Sequence, residues 1–349
     1  MTLPAGIASQ LLPAPDLKNQ LRQEMLGLKI TRMHSTPEPL WSELLSDRHV
    51  ILGVPDDRGV GLNVGHLGAA EGPRSFRDAF YRLYDVRSEN GLWAGDGWCD
   101  AGDLRLQPTI EETHSSLADV VQFILACGAL RVHVIGGGHD FSFGSYWGHA
   151  RSCHGVLPVI NFDAHFDLRP VEQGCISSGT PFRRVIEQLT ERVSGGRALL
   201  EVGIQRERNP QSLWDYAQSC GVSVAEYTGG RQPWSYFNLL HPADCSLELQ
   251  IKTWLDEWLA SERCAGQFHA SIDLDVFHTA AALGTSASTS FGVPVEVLWP
   301  CVEDTLSRKM CRVVDVAELC PQRDVQSQTA RLAAALVFRG ALSRELDRC

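Results

Sequence analysis

No stretch of this sequence approaches the roughly 18 uninterrupted apolar residues of a membrane span, which argues against an integral membrane protein. It also lacks an opening basic segment followed by a compact apolar one. No secretory signal is therefore expected, and the predicted compartment is the cytoplasm. Positive charge is scarce: 31 Lys and Arg face 42 Asp and Glu, for a formal net charge of -11. A nucleic-acid partner needs a concentrated basic surface, so none is expected. CxxC pairs are missing as well. The 11 cysteines are scattered from Cys99 to Cys349, which suits neither a zinc site nor a small disulfide scaffold. Most are expected to be reduced, buried, small hydrophobes.

What is present is a globular composition. Over 349 residues the chain is 44% hydrophobic and 21% charged, enough for a sizeable core. Residues 1–47 are Pro-rich and weakly patterned. They read as an N-terminal extension with one or two helices, packed on the domain surface or on a neighbouring subunit. Residues 48–349 read as a single domain. There, apolar runs recur at His49–Pro55, Trp98–Ala101, Arg131–Gly137, Val156–Ala164, Ala198–Ile204, Val222–Tyr227, Phe268–Val276 and Cys311–Val316. Several are continuously apolar, as in strands covered on both faces. Helix-like segments alternate with them, among them Ser115–Cys127, Thr180–Arg192, Leu247–Ala260 and Ser327–Leu342, the last opening on a Ser cap candidate. Such alternation predicts one α/β domain with a mostly parallel sheet of about eight strands.

Ligands of such sheets bind beyond the carboxyl ends of the strands. Three segments place polar residues there: Gly136-Gly137-Gly138-His139-Asp140, Asn161-Phe162-Asp163-Ala164-His165-Phe166-Asp167 and Ser271-Ile272-Asp273-Leu274-Asp275. Asp163, His165 and Asp167 alternate with apolar residues, so an extended chain would set all three on one face. Neighbours at i, i+2 are then about 6.6 Å apart, wide for one ion and better suited to two with a bridging carboxylate. Asp273 and Asp275 repeat the spacing, and His139 adds an imidazole. Four carboxylates and two imidazoles suit Mn²⁺, and burying so many acids without cations would be costly. Asp140 is a candidate to orient His139 by a hydrogen bond, or simply to stabilise its turn. His149, His154, His269 and His278 read as packed or solvated histidines.

GGGHD, DAHFD and SIDLDVF, in this order, resemble the metal motifs of the ureohydrolase superfamily of arginase, agmatinase and formimidoylglutamase. The resemblance covers roughly residues 48–343. It implies the three-layer α/β arginase fold, two Mn²⁺ per subunit (with Ni²⁺ a possible substitute) and a homo-oligomer. By motif, His139, Asp163, Asp167 and Asp273 would hold one ion, and Asp163, His165, Asp273 and Asp275 the other.

Within the superfamily, Asp163–Arg169, Ser177-Ser178-Gly179-Thr180-Pro181-Phe182 and the stretch from Pro55 through Asn63 to Pro73 look like formimidoylglutamase. Phe182 stands where arginases carry a proton-shuttling histidine. Leu283–Ser288 lacks the prolines usual in its loop, and Cys320 replaces an Asn. The resemblance implies hydrolysis of N-formimino-L-glutamate to L-glutamate and formamide, a step of histidine degradation. Glu318 would pair with the amidine, and Asp167 or Asp275 would relay a proton to the leaving amine. Arg169 and Arg183 are candidates for the substrate carboxylates, with Ser178, Gly179 and Thr180 as further substrate contacts. A guanidino substrate releasing urea is the alternative, and a non-catalytic metal-binding homologue the second.

Overall fold

In chain order, the computed structural model has strands β1 (Leu11–Leu12), β2 (Thr31–Arg32), β3 (His49–Val54), β4 (Trp98–Leu104), β5 (Arg131–Gly136), β6 (Val159–Phe162), β7 (Leu199–Ile204), β8 (Ser223–Tyr227), β9 (Trp234–Phe237), β10 (Phe268–Asp273) and β11 (Cys311–Ala317). Residues 6–17, 20–86, 94–230, 233–239 and 245–346 are described. Cys349 and the first five residues of the N-terminal extension lie outside them.

One sheet holds all of these strands, in the order β1-β4-β3-β5-β11-β10-β6-β7-β8-β9, with β2 also on β4. The expectation of about eight strands is corrected to eleven. The eight strands from β4 to β8 in that order are the eight apolar runs, and every pairing among them is parallel. The other three lie at the edges, where β1 and β9 pair antiparallel and β2 pairs parallel. They are two to four residues long and only partly buried, so no periodic pattern marks them. Two come from the N-terminal extension, whose described part is mostly 3₁₀ turns and these short strands rather than long helices.

The helices are α1 (Trp41–Leu45), α2 (Arg58–Leu62), α3 (Gly72–Phe80), α4 (Ile110–Ala126), α5 (Ser142–Arg151), α6 (Pro181–Gln188), α7 (Gln211–Cys220), α8 (Leu247–Ala260), α9 (Val295–Ser307) and α10 (Gln328–Leu346). Strand residues alternate between two faces. Ile51, Ile160, Leu200, Ile272 and Val314 pack beneath α3, α8, α9 and α10. Val50, Val132 and Val313 face α1 and α4, while Val159 and Leu199 face α5, α6 and α7. These are three layers with the sheet in the middle.

Helix starts follow local chemistry. α4 begins five residues before the expected Ser115 because Thr109 and Glu112 form a reciprocal capping box. α10 is not capped by Ser327. Asp324 accepts the N–H groups of Thr329 and Ala330 at 2.8 and 2.9 Å instead. Every described cysteine is free, and five of the ten are buried, fewer than expected. Among the described residues no helix is long and apolar enough to cross a membrane.

Candidate metal centre and substrate cleft

Four strands that are neighbours in the sheet, β5, β11, β10 and β6, end side by side at its carboxyl edge. His139 follows β5, Glu318 follows β11, Asp273 ends β10 and Asp163 follows β6. The glycines before His139 are needed for contact: a Cβ on Gly136 would strike the Phe141 ring, and one on Gly137 the Asp56 carbonyl. His139 is fully buried, with Nε2 2.8 Å from Ser271 Oγ. That leaves Nδ1 facing Asp163, Asp167 and Asp273 at 3.2, 2.9 and 3.3 Å.

The Asp163–Asp167 segment is not extended, as the alternation suggested. β6 ends at Phe162; Asp163 Oδ1 then accepts the N–H of His165 at 2.7 Å, and Asp167 takes a positive φ of 48°. The chain curls, drawing together side chains that an extended strand would hold apart. Asp273 repeats the device, accepting the N–H of Asp275 at 2.8 Å. The curl is tied down by Asn209, whose Oδ1 accepts from Phe166 N at 2.9 Å and whose Nδ2 donates to Ala164 O at 2.9 Å.

Ligand atoms of His139, Asp163, Asp167 and Asp273 all lie within 4.8 Å of one another, and those of Asp163, His165 and Asp275 form a second such group. Asp163 belongs to both; Asp273 belongs to the first alone. Burial and the Asp163 charge push the Asp167 carboxyl up to about 6. Burial, Asp275 and Asp163 push Asp273 well above the usual carboxylate range. Buried acids crowded in this way call for cations, and the oxygen-rich, imidazole-containing donor set fits two manganese ions.

Above these residues opens a cleft of about 530 Å³. His165, Asp167, Asp273, Asp275 and Glu318 line it, while His139 and Asp163 lie deeper. Glu318 has a positive φ of 67°, uncommon for a side-chain-bearing residue. Its Oε1 accepts the N–H of His139 at 2.8 Å, and its buried Oε2 makes no hydrogen bond among the described residues. Burial pushes the Glu318 carboxyl up to about 8.

The remaining candidates separate clearly. Arg169 and Ser178 line the cleft, and Asn63 Nδ2 donates to Ser178 Oγ at 3.1 Å. Gly179 has no side chain to offer, but a Cβ there would meet Arg169 Cδ at 2.7 Å, so its bareness admits the arginine. Thr180 turns inward, donating to Ser177 O at 2.7 Å. Arg183 is not brought to the cleft; it pairs with Glu187 at 2.7 Å and stacks over Tyr216 at 3.9 Å. Phe182 is buried with its ring edge-on to His139, 5.5 Å between centroids. Asp140 turns from His139 to His114 Nε2 at 3.0 Å, and His114 Nδ1 meets Arg184 at 2.8 Å. His149 and His269 join a buried network ending on Asp315. Arg208, His66, Ser286 and Arg323 also line the cleft and are not marked by any sequence pattern; Arg208 and Arg323 end short 3₁₀ turns, and the other two sit on loops.

The Arginase family model matches residues 47–232 and 237–342. A formimidoylglutamase of Hahella chejuensis is 33% identical over 297 residues, covering 83% of each chain. Among solved structures, formimidoylglutamase from Bacillus subtilis superposes with a TM-score of 0.75 at 20% identity, covering 93% of this chain and 94% of the other. The N114H variant of Trypanosoma cruzi formiminoglutamase with Mn²⁺ superposes with a TM-score of 0.74 at 25% identity, covering 92% and 98%. With the three motifs gathered at one sheet edge and a family match spanning most of its length, this chain belongs to the arginase family.

Proposed function

We propose that this protein is a binuclear-manganese hydrolase that converts N-formimino-L-glutamate to L-glutamate and formamide. The observation that carries the reading is a cleft with a crowded acidic floor and, on its wall, Arg169, whose guanidinium has no hydrogen-bond or ion-pair partner among the described residues. A substrate with an amidine at one end and carboxylates at the other complements both features. The formimidoylglutamase relatives support the same choice.

Asp163, shared by both ligand groups, would bridge the ions; His139, Asp167 and Asp273 would complete one site, and His165 and Asp275 the other. Bound there, manganese supplies a lowered pKa for water and Lewis-acid polarisation of the amidine carbon. Glu318 Oε2 accepts an N–H of the amidine, while its Oε1 stays on His139. Asp167 or Asp275, both buried but lining the cleft, carries a proton to the departing amine, which cannot leave as an anion. Ser178, hydrogen-bonded to Asn63, borders the substrate, and Arg169 takes a carboxylate. The same reading brings with it a cytoplasmic setting and a homo-oligomer.

Formamide release by purified, manganese-loaded protein tests this directly. Release from N-formimino-L-glutamate is expected. Urea release from a guanidino compound with no formamide from N-formimino-L-glutamate would overturn it.

A further inference from the structure

N-formimino-L-glutamate carries two carboxylates, one beside the reacting nitrogen and one at the end of its side chain. A single arginine cannot hold both. Binding both calls for a second cation in the cleft that the protein itself leaves uncommitted.

Several described arginines are committed to acids. Arg58 pairs with Asp56, Arg183 with Glu187, Arg206 with Glu226 and Arg308 with Asp304 and Asp256. Arg208 has no acid partner among the described residues. It lines the cleft, yet its recorded hydrogen bond runs to a neutral carbonyl, Ser288 O, at 3.1 Å. A guanidinium has five N–H donors, so most remain available. The contrast with Arg206, two residues earlier, is instructive: that side chain bonds Glu226 at 2.8 Å and stacks on Trp214 at 3.9 Å, away from the cleft.

The backbone beneath Arg208 is fixed relative to the metal ligands. Its neighbour Asn209 bonds Phe166 N and Ala164 O within the Asp163–Asp167 curl, and also Gln205 O at 2.8 Å. The turn bearing Arg208 and the loop bearing three candidate ligands are thus one hydrogen-bonded unit. Arg169 stands on a different stretch of the rim, against Gly179 and near Asn63. Arg323 also reaches the cleft, but from a turn whose Asp324 is bound to α10, without a tie to the ligand loop.

We propose that Arg208 binds one of the two substrate carboxylates, so that Arg169 and Arg208 together make the cleft selective for an amidine bearing two carboxylates. The assignment rests on the formimidoylglutamate reading above. It gives Arg208 a binding role and leaves the bond-breaking step to the residues at the floor.

Three substrates test it: N-formimino-L-glutamate, its side-chain amide N-formimino-L-glutamine, and its α-carboxamide. Arg208→Ala is expected to lower kcat/KM on the diacid about 30-fold or more, mainly through KM, as for loss of a charged hydrogen-bonded partner. On one of the two amides the penalty should nearly vanish, because the carboxylate that Arg208 reads is gone. Arg169→Ala should show the same selectivity for the other amide. Arg208→Lys should recover part of the loss, and Arg206→Ala should show no dependence on carboxylate number. L-glutamate binding by calorimetry should weaken in Arg208→Ala with manganese content unchanged. An equal penalty on all three substrates, or wild-type kinetics on the diacid, would overturn the role of Arg208. Absence of formamide from the wild-type enzyme would instead overturn the underlying functional reading.

Discussion

Glu318 Oε1 accepts the backbone N–H of His139 at 2.8 Å, across a separation of 179 residues. One carboxylate oxygen thereby fixes the turn of a candidate metal ligand, while the other is buried beside the cleft and makes no hydrogen bond among the described residues. The two functions are separable by isosteric change. Glu318→Gln retains an oxygen for His139 N but replaces the second oxygen, an acceptor, with a donating amide NH₂. It is expected to lower kcat/KM by about 2–4 kcal/mol in transition-state terms, with two manganese ions still bound. Loss of metal in step with activity, measured by elemental analysis, would place Glu318 in the metal site instead.

Asp163 is shared by the two ligand groups, whereas His139 belongs to one. Asp163→Ala should therefore leave one ion or fewer per chain and abolish activity. His139→Ala should weaken chiefly one site and recover partly in excess Mn²⁺. Equal, unrescued losses in two folded variants would contradict this division.

The chain Asp140–His114–Arg184 is buried, and His114 is its centre, 3.0 Å from one partner and 2.8 Å from the other. His114→Ala would strand a buried carboxylate and a buried guanidinium together. A loss of about 2–3 kcal/mol in urea unfolding is expected. His114→Gln, which can still donate and accept, should lose less. Equal stability of the alanine variant and the wild type would show that water replaces the ring.

Asp100 and Arg77 are both fully buried and bonded at 2.8 Å. Burial pushes the Asp100 carboxyl up, but Arg77, the Tyr81 hydroxyl and the Gly102 N–H together pull it below the ordinary range. A depressed folded pKa contributes stability that is complete above the unfolded value, about 3.9, and is lost as pH falls through the folded one. In Arg77→Met only the Tyr81 hydroxyl and the Gly102 N–H still oppose burial, the largest influence, so Asp100 should bind its proton more tightly folded than unfolded. Its contribution then reverses, and stability should fall as pH rises above about 4. Urea midpoints of the metal-free proteins at pH 4 and pH 7 read this out: the gap between wild type and variant should widen at pH 7. A gap that is constant with pH would refute the linkage.

Arg183 serves as a negative control. Its i,i+4 pair with Glu187 is partly exposed, and neither residue lines the cleft. Arg183→Ala should leave kcat/KM within about twofold and change stability by no more than about 0.5 kcal/mol.

The eight central strands and the metal-motif residues were legible in the sequence because both depend on local pattern. Runs such as Arg131–Gly136 must be apolar on both faces, and DAHFD keeps its ligands within five residues. The edge strands were not legible, since β2 is two half-buried residues that pair only because β4 presents a free edge. The curl at Asp163 was hidden for another reason. Alternation of polar and apolar residues is shared by a strand and by an Asx turn, and the hydrogen bond from His165 N decides between them. Arg183 and Arg208 illustrate the limit at the cleft itself. Sequence proximity to the SSGTPF motif favoured the first, while the turn after β7 that delivers the second has no signature outside its three-dimensional setting.

The strand order has a consequence for how this protein is made. β10 and β11 insert between β5 and β6, although both are translated after β9. A growing chain that has emerged only as far as α8 owns two half-sheets with open edges facing one another, edges of the kind that recruit stray strands. It also owns His139 and the DAHFD ligands, but neither Asp273 nor Glu318. Manganese can reward only a chain that includes β10, which brings Asp273 and Asp275 to the ligand set, while β11 closes the gap and brings Glu318. The ions are thus a seal on correct assembly, and truncation anywhere before Ala317 should yield a chain that manganese cannot rescue.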